Sequence, residues 1–304
     1  MTRQVLLGGN GAVGRETAGA LLELGCEVVS FGRRRSSIPG VESIVGDVLD
    51  PDAVRRALAG ADVAYLIVGL PYRLDAWRRD WPVVMRNSIA AARASDVRLV
   101  FLDNVYSYGR TSEPMTERTP IQPGSRKGEV RAGLLRMLDE ARAGGLAATV
   151  ARSADFYGPG AGTSVFNMMA VDNVVSGRRP AWLFDASKAH SMTYTPDIGR
   201  ALAVLGMDGR AAGKTWHLPT AAPARTGRQY AQLLGDGEPR VLSPMMMRLA
   251  GLFMPMARET IELGYQNTED YVFDSSAFEA AFGLAPTPYE EGVARTLEQA
   301  RRAA

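Results

Sequence analysis

Residues 8 to 14 read Gly-Gly-Asn-Gly-Ala-Val-Gly, with an apolar run, Val5-Leu6-Leu7, before them and an alanine- and leucine-rich stretch after them as far as Leu24. Glycine recurs at every third position, at Gly8, Gly11 and Gly14. If the loop joins a strand to a helix, each of them has a physical task. Gly8 permits the tight turn, Gly11 lets bare backbone approach a pyrophosphate, and Gly14 lets the first helix pack closely on the strand. Asn10, Ala12 and Val13 complete a loop whose amides face the phosphates. A lone glycine motif is weak evidence, but here a strand precedes it and a helix follows, which favours a dinucleotide site.

The rest of the chain supports that unit. Gln4–Leu7, Glu27–Phe31, Ser43–Val45, Val63–Val68, Leu99–Leu102 and Ala147–Ala151 read as strands, and the stretches near Val13–Leu24, Pro51–Ala59, Trp81–Ala94 and Lys127–Ala143 as helices. Alternation at this spacing predicts an α/β fold: a Rossmann-type, doubly wound parallel sheet whose strands are apolar throughout because helices cover both faces. Residues 1–160 form the expected dinucleotide-binding core. Residues 161–304, less regular and richer in Pro, Gly and Met, are expected to add late sheet elements and a smaller substrate-binding region at the carboxyl ends of the strands.

Charge and composition narrow the function. The 304 residues carry a net charge of +2, with arginines dispersed among acids, which argues against nucleic acid or an anionic membrane as partner. No apolar run approaches the roughly 20 residues that cross a bilayer. A single cysteine, Cys26, and two histidines, His190 and His217, permit neither an intrachain disulfide nor a multi-imidazole metal site. With no secretory pattern at the N-terminus, a cytoplasmic location and a small-molecule substrate are expected, and no metal.

The end of the second strand speaks to cofactor choice. An NAD site usually places an acid there for the ribose 2′-hydroxyl; this chain has Phe31-Gly32-Arg33-Arg34-Arg35. Guanidinium forks suit a 2′-phosphate, so NADP is the expected cofactor, with NAD as the alternative.

Further motifs carry a family likeness. With the glycine loop, Gly46-Asp47-Val48-Leu49-Asp50, Val63–Gly69, Tyr157-Gly158-Pro159-Gly160, Phe273-Asp274-Ser275-Ser276 and Pro286-Thr287-Pro288-Tyr289-Glu290-Glu291-Gly292, the chain resembles the extended short-chain dehydrogenase/reductases, the NAD-dependent epimerase/dehydratase group. The resemblance implies that Asp47 and Val48 hold the adenine and that Gly69 lines the cofactor path. It also implies a Ser or Thr after the fifth strand and a Tyr-x-x-x-Lys on the next helix, where the Lys binds the ribose and lowers the Tyr pKa. Here the pattern fails. Asn104 stands where the hydroxyl residue belongs, Lys127 is kept, and Pro123 replaces the Tyr.

Proline has no proton to give, so other groups must serve if the reaction is of the usual kind. Asn104 can donate its amide to a carbonyl, although Asn after a strand is also a common turn residue. Asp155, at a position where relatives often carry Asn, can act as acid or base in a cleft, or merely hold a turn. Tyr157 is the phenol nearest to it, with Tyr106 and Tyr108 the others; each is also a candidate packing residue. His190 reads as a surface histidine and His217 as part of a strand, while Met245–Met256 reads first as core and otherwise as an apolar pocket wall. The expected function is an NAD(P)-dependent oxidoreductase, atypical for its family, acting on a small, fairly apolar carbonyl, alcohol or conjugated substrate. The alternatives are an epimerase or dehydratase that recycles its cofactor internally, and a non-redox nucleotide-binding sensor, lyase or cyclase. Relatives commonly pair through helices that here are Trp81–Ala94 and Lys127–Ala143, so a homodimer is expected.

Overall fold

The computed structural model describes residues 1–235 and 237–304. In chain order the first part contains β1 (Arg3–Leu7), α1 (Ala12–Glu23), β2 (Glu27–Gly32), β3 (Val41–Val45), α2 (Pro51–Leu58), β4 (Val63–Leu66), α3 (Leu74–Ala94), β5 (Arg98–Asn104), α4 (Arg126–Ala143) and β6 (Ala148–Ser153). There follow β7 (Asp155–Tyr157), α5 (Asp172–Val175), β8 (Ala181–Leu183), β9 (Ala189–His190), β10 (Met192–Tyr194), α6 (Thr195–Met207) and β11 (Thr215–His217). The remainder is β12 (Arg225–Thr226), α7 (Gly227–Leu233), β13 (Arg240–Leu242), α8 (Pro244–Ala250), α9 (Pro255–Ile261), α10 (Tyr265–Thr268), α11 (Ser276–Phe282) and α12 (Tyr289–Ala303).

Two units share these elements. The first comprises Met1–Asn104, Glu129–Arg152 and Ile198–Leu218, and is built on a seven-stranded parallel sheet in the order β11-β6-β5-β4-β1-β2-β3. Its central strands are buried along their whole length, as with Val63, Ala64, Tyr65 and Leu66 of β4, which explains why they lack alternation. Asp50 caps α2 by accepting from the amides of Asp52 and Ala53, and Pro51 begins the helix where no amide partner is required.

Three expectations change. The third helix starts at Leu74, not near Trp81: Pro82 lies inside it, although a Pro at that place in the sequence reads as a first-turn residue. The second unit, Val105–Gly128, Ser153–Asp197 and Pro219–Ala304, is no minor appendage; it holds about half the chain and a core of its own. That core gathers Tyr157, Phe166, Trp182, Tyr194, Tyr230 and Tyr289 among aliphatic side chains. The Met-rich stretch is mostly not core. Met247 and Ala257 are buried against Leu183, but Met245, Met246, Leu249, Leu252, Phe253, Met254 and Met256 are exposed, because α8 and α9 are short and each packs by one face.

Candidate functional site

The glycine loop in the first unit is shaped by close backbone approaches. Gly8 has φ 108°, and a Cβ there would lie 2.6 Å from Cα of Val68. At Gly14 a Cβ would meet the carbonyl oxygen of Gly9 at 2.4 Å, so α1 can approach its own loop only without a side chain there. Gly11 differs: the nearest atom to its Cβ position is the Gly8 carbonyl at 3.5 Å, and the space beyond is open. Gly11 is also the N-cap of α1, which has no side-chain cap and no acid in its first turn. The amides of Ala12, Val13 and Gly14 therefore have no intrahelical acceptor, and their partial positive charge is left for an anion.

The flanking loops meet this cradle. The Asn10 amide donates to the carbonyls of Arg34 (2.8 Å) and Arg35 (3.4 Å), tying the exposed arginines at the carboxyl end of β2 to the glycine loop. Arg33 lies in the same exposed run. Asp47 is exposed and accepts from the Leu49 amide at 3.0 Å, while Val48 is buried and its carbonyl accepts from Asn87 at 3.0 Å. Gly69, past the end of β4, has open space at its Cβ position. An uncapped helix start, a loop that excludes side chains where it folds back on the sheet, and open backbone at Gly11 and Gly69 fit a dinucleotide.

Just below Asn104, the last residue of β5, lies a charge cluster that the sequence did not announce. The Asp103 carboxylate accepts from Arg131 Nε at 2.8 Å and from Arg152 Nε at 3.0 Å. All three side chains are buried, with exposures of 0% for the acid and 4% and 3% for the arginines. The Arg131 guanidinium also lies 4.7 Å from the ring centre of Trp81 and donates to the Leu102 carbonyl at 3.0 Å. These bonds hold the end of β5, and with it the backbone of Asn104, in place.

In the second unit Lys127 is fully buried, and its ammonium is closed on from one side. It donates to the carbonyl of Glu259 at 2.9 Å and pairs with the carboxylates of Glu259 (2.5 Å) and Glu262 (2.9 Å). Burial alone would raise the Glu262 carboxyl, but the hydrogen bond and charge of Lys127, with help from Arg126, outweigh it and hold the group low. In this arrangement the Lys127 ammonium satisfies its charge within its own unit.

Tyr157 lies in the core of the second unit. Its ring is fully buried against Phe166, Tyr194 and Tyr289, and its hydroxyl finds no hydrogen-bond partner among the described residues. Burial pushes its phenol far above the ordinary value, and Gly292 of α12 leaves the space that the hydroxyl fills. It packs in the aromatic core of its unit. Tyr108 is likewise buried and donates to the Thr116 carbonyl at 3.0 Å. Asp197, in the first turn of α6, accepts from the amide (2.7 Å) and hydroxyl (2.8 Å) of Thr287.

Asp155 has a partner that the sequence reading placed elsewhere. His190, expected at the surface, is buried, with Nε2 3.1 Å from Asp155 Oδ2 and Nδ1 2.9 Å from the Gln266 carbonyl. Pairing of β7 with β10 sets Met192 opposite Asp155, which brings the end of β9 alongside. His217, as expected, lies in a strand, β11, and is buried.

The model of the NAD dependent epimerase/dehydratase family matches residues 5–213, about two thirds of the chain, starting in β1 and running to the approach to β11. The chain belongs to this family. Among curated relatives of the family, a dTDP-glucose 4,6-dehydratase of Mycobacterium tuberculosis is 26% identical over 206 residues, covering 62% of this chain and 62% of that protein. A 2-alkyl-3-oxoalkanoate reductase of Stenotrophomonas maltophilia is 30% identical over 118 residues, 36% of each chain. The chain therefore spans less than two thirds of the length of these relatives. Among solved structures, a dTDP-glucose 4,6-dehydratase of Streptomyces venezuelae with NAD bound matches with a TM-score of 0.79 over 99% of this chain and 97% of that one, at 20% identity. At that identity the likeness is one of fold. No helix among the described residues is long and apolar enough to cross a membrane.

Proposed function

We propose that this family member is an NADP-dependent oxidoreductase acting on the carbonyl or alcohol of a small, fairly apolar molecule. The observation that carries the reading is the run Arg33-Arg34-Arg35 after β2, held on the glycine loop by Asn10, at the position where an NAD enzyme usually presents an acid. The name of the oxoalkanoate reductase and the exposed methionines of α8 and α9 support an apolar substrate. When bound, the dinucleotide supplies or accepts a hydride at its nicotinamide ring. The amides of Ala12, Val13 and Gly14 would hold its phosphates, Arg33 and Arg34 its 2′-phosphate, Asp47 and Val48 its adenine, and Gly69 would leave room along its path. Asn104, at the end of β5 in the same unit as the glycine loop, would orient the substrate oxygen.

Titration of the purified chain with NADPH and NADH tests this. NADPH is expected to bind at least about tenfold more tightly, the equivalent of 1.4 kcal/mol, and Arg33→Ala with Arg34→Ala should abolish the difference. Equal affinities in the unaltered protein would overturn the preference. Loss of nicotinamide absorbance with a panel of 3-oxo acids and ketones tests turnover. Conversion without net cofactor change would instead support the internally recycling epimerase or dehydratase, the reading that the matching dehydratases favour. A reducing cytoplasm suits a chain with one cysteine, and a dimer through α3 and α4 is part of the same proposal, tested by light scattering.

A further inference from the structure

We infer that Asn10 and Ser43 are positioning residues for the 2′-phosphate of the cofactor: from two sides they fix the backbone that carries Arg33, Arg34 and Arg35, so that the subsite is formed before the dinucleotide arrives. The inference rests on the NADP reading and adds to it the residues that make a basic loop selective. Every residue involved belongs to the first unit.

The run after β2 needs such support. Residues 33–40 join β2 to β3, which pair in parallel, and no helix fills the crossover. A loop of this kind holds its shape through individual hydrogen bonds. The Asn10 side chain supplies two, to the carbonyls of Arg34 at 2.8 Å and Arg35 at 3.4 Å. Carbonyls only accept, so the amide NH2 must face them, and the amide oxygen then lies 3.5 Å from the Ser30 hydroxyl, which can donate. Ser30 is buried, and a Cβ on Gly9 would come within 2.5 Å of its Oγ, so the bare Gly9 backbone lets the glycine loop settle there. From the other side Ser43 of β3 accepts from the Ser36 amide at 2.9 Å, and Ser36 Oγ accepts from the Ile38 amide at 3.2 Å.

The backbone is held while the charges are not. Arg33, Arg34 and Arg35 are exposed, and none of their guanidiniums has an ion-pair partner among the described residues. Acids on the flanking elements are engaged elsewhere: Glu27 and Glu42 with Arg3, Asp47 with the Leu49 amide, and Asp50 with the start of α2. Like charges on consecutive residues repel one another, and a phosphate monoester carrying close to two negative charges relieves that repulsion. A mobile basic loop would attract any anion. A fixed one discriminates, because the loop has already been ordered on folding and its ordering does not oppose binding.

The phosphate cradle does not depend on the Asn10 side chain. Its amides belong to the start of α1, and the Asn10 main chain keeps a bond of its own, its carbonyl accepting from Arg15 Nη1 at 3.1 Å. Truncating Asn10 at Cβ therefore frees the arginine run while the glycine loop stays in place. Selectivity for the 2′-phosphate and affinity for the dinucleotide become separable.

Calorimetric titration of the full chain and of its Asn10→Ala and Ser43→Ala variants tests this with four probes. NADPH and adenosine 2′,5′-bisphosphate carry the 2′-phosphate; NADH and adenosine 5′-monophosphate do not. Asn10→Ala should weaken the first two by about tenfold and the others by less than about threefold, and Ser43→Ala should act in the same direction. If the unaltered chain prefers NADPH and both variants keep that preference, the inference is overturned while the NADP reading stands. An equal loss for all four probes also overturns it, since Asn10 would then only shape the phosphate cradle. Hydrogen exchange of the ligand-free chain reads the tether itself. The Ser36 amide, bonded to Ser43, should exchange about tenfold faster in Asn10→Ala, with the amides of β1 unaffected. Unchanged exchange at Ser36 would overturn the tether whatever the cofactor. Equal affinity of the unaltered chain for NADPH and NADH would overturn the NADP reading and the selective role together, and the exchange result would then show whether the tether falls with them.

Discussion

Asp103→Asn should be among the most damaging single substitutions in the first unit. One carboxylate there compensates two guanidiniums, and none of the three side chains is more than 4% exposed. The amide keeps the shape but removes the charge. Its oxygen can satisfy either Arg131 or Arg152, while its NH2 turns two donors toward the other. What remains is a buried pair of like charges with one donor set unmatched, a situation that typically costs about 3 to 5 kcal/mol. Stacking of Arg131 on Trp81 and Phe101, at 4.7 and 4.8 Å, is kept in the variant and places the expectation toward the lower end of that range. The loss corresponds to a fall in Tm on the order of 10 °C, readable by circular dichroism on heating and in urea. A triple variant, Asp103→Leu with Arg131→Met and Arg152→Met, should recover most of it, because apolar groups of similar volume need no charge partner. If Asp103→Asn costs less than about 1 kcal/mol, the cluster is behaving as a solvated surface pair and the reasoning fails.

Other substitutions separate binding from folding. Gly14→Ala should destabilise the fold, its Cβ 2.4 Å from the Gly9 carbonyl oxygen, whereas Gly11→Ala should leave Tm nearly unchanged and weaken NADPH binding by at least tenfold in the same titration. Gly292→Ala places a Cβ 2.3 Å from the Tyr157 hydroxyl and should lower stability by about 1 to 3 kcal/mol, less any helix-propensity gain. Adding Tyr157→Phe, which leaves the ring carbon 3.1 Å away as nearest atom, should restore most of it; additive losses in a urea double-mutant cycle would refute the contact. The Glu262 carboxyl is held below its ordinary value in the folded chain, so its contribution is fully present above the ordinary glutamate range and is lost as pH falls through the folded value. The stability of the unaltered protein should therefore fall more steeply with acid than that of Glu262→Gln, which should be the less stable of the two at neutral pH; identical pH slopes would contradict it.

Much of the fold was legible because its causes are local. A strand, a glycine loop and a helix lie within residues 3–23, and the alternation that follows reports a sheet covered on both faces. The arginines after β2 were readable for the same reason. What escaped depends on distant pairing. Asp103 drew no attention because its partners lie 28 and 49 residues onward, and the carboxylates that pair with Lys127 are more than 130 residues away. His190 read as a surface residue until β7–β10 pairing and the Gln266 carbonyl, 76 residues on, fixed both of its nitrogens. Tyr157 looked chemically available because sequence gives residue type but not burial.

The interleaved path of the chain also sets a timetable. The edge strand β11 and most of helix α6 belong to the first unit, yet they follow residues 153–197 of the second. During synthesis, at roughly 5 to 20 residues per second, the ribosome reaches β11 on the order of ten seconds after it has finished β5. Throughout that interval β6, once made, presents an unpaired edge whose residues begin Ala148-Thr149-Val150-Ala151. The nascent chain thus has a bounded period in which pairing with a neighbouring polypeptide competes with completion of its own sheet, and slowing translation across residues 153–214 would lengthen it.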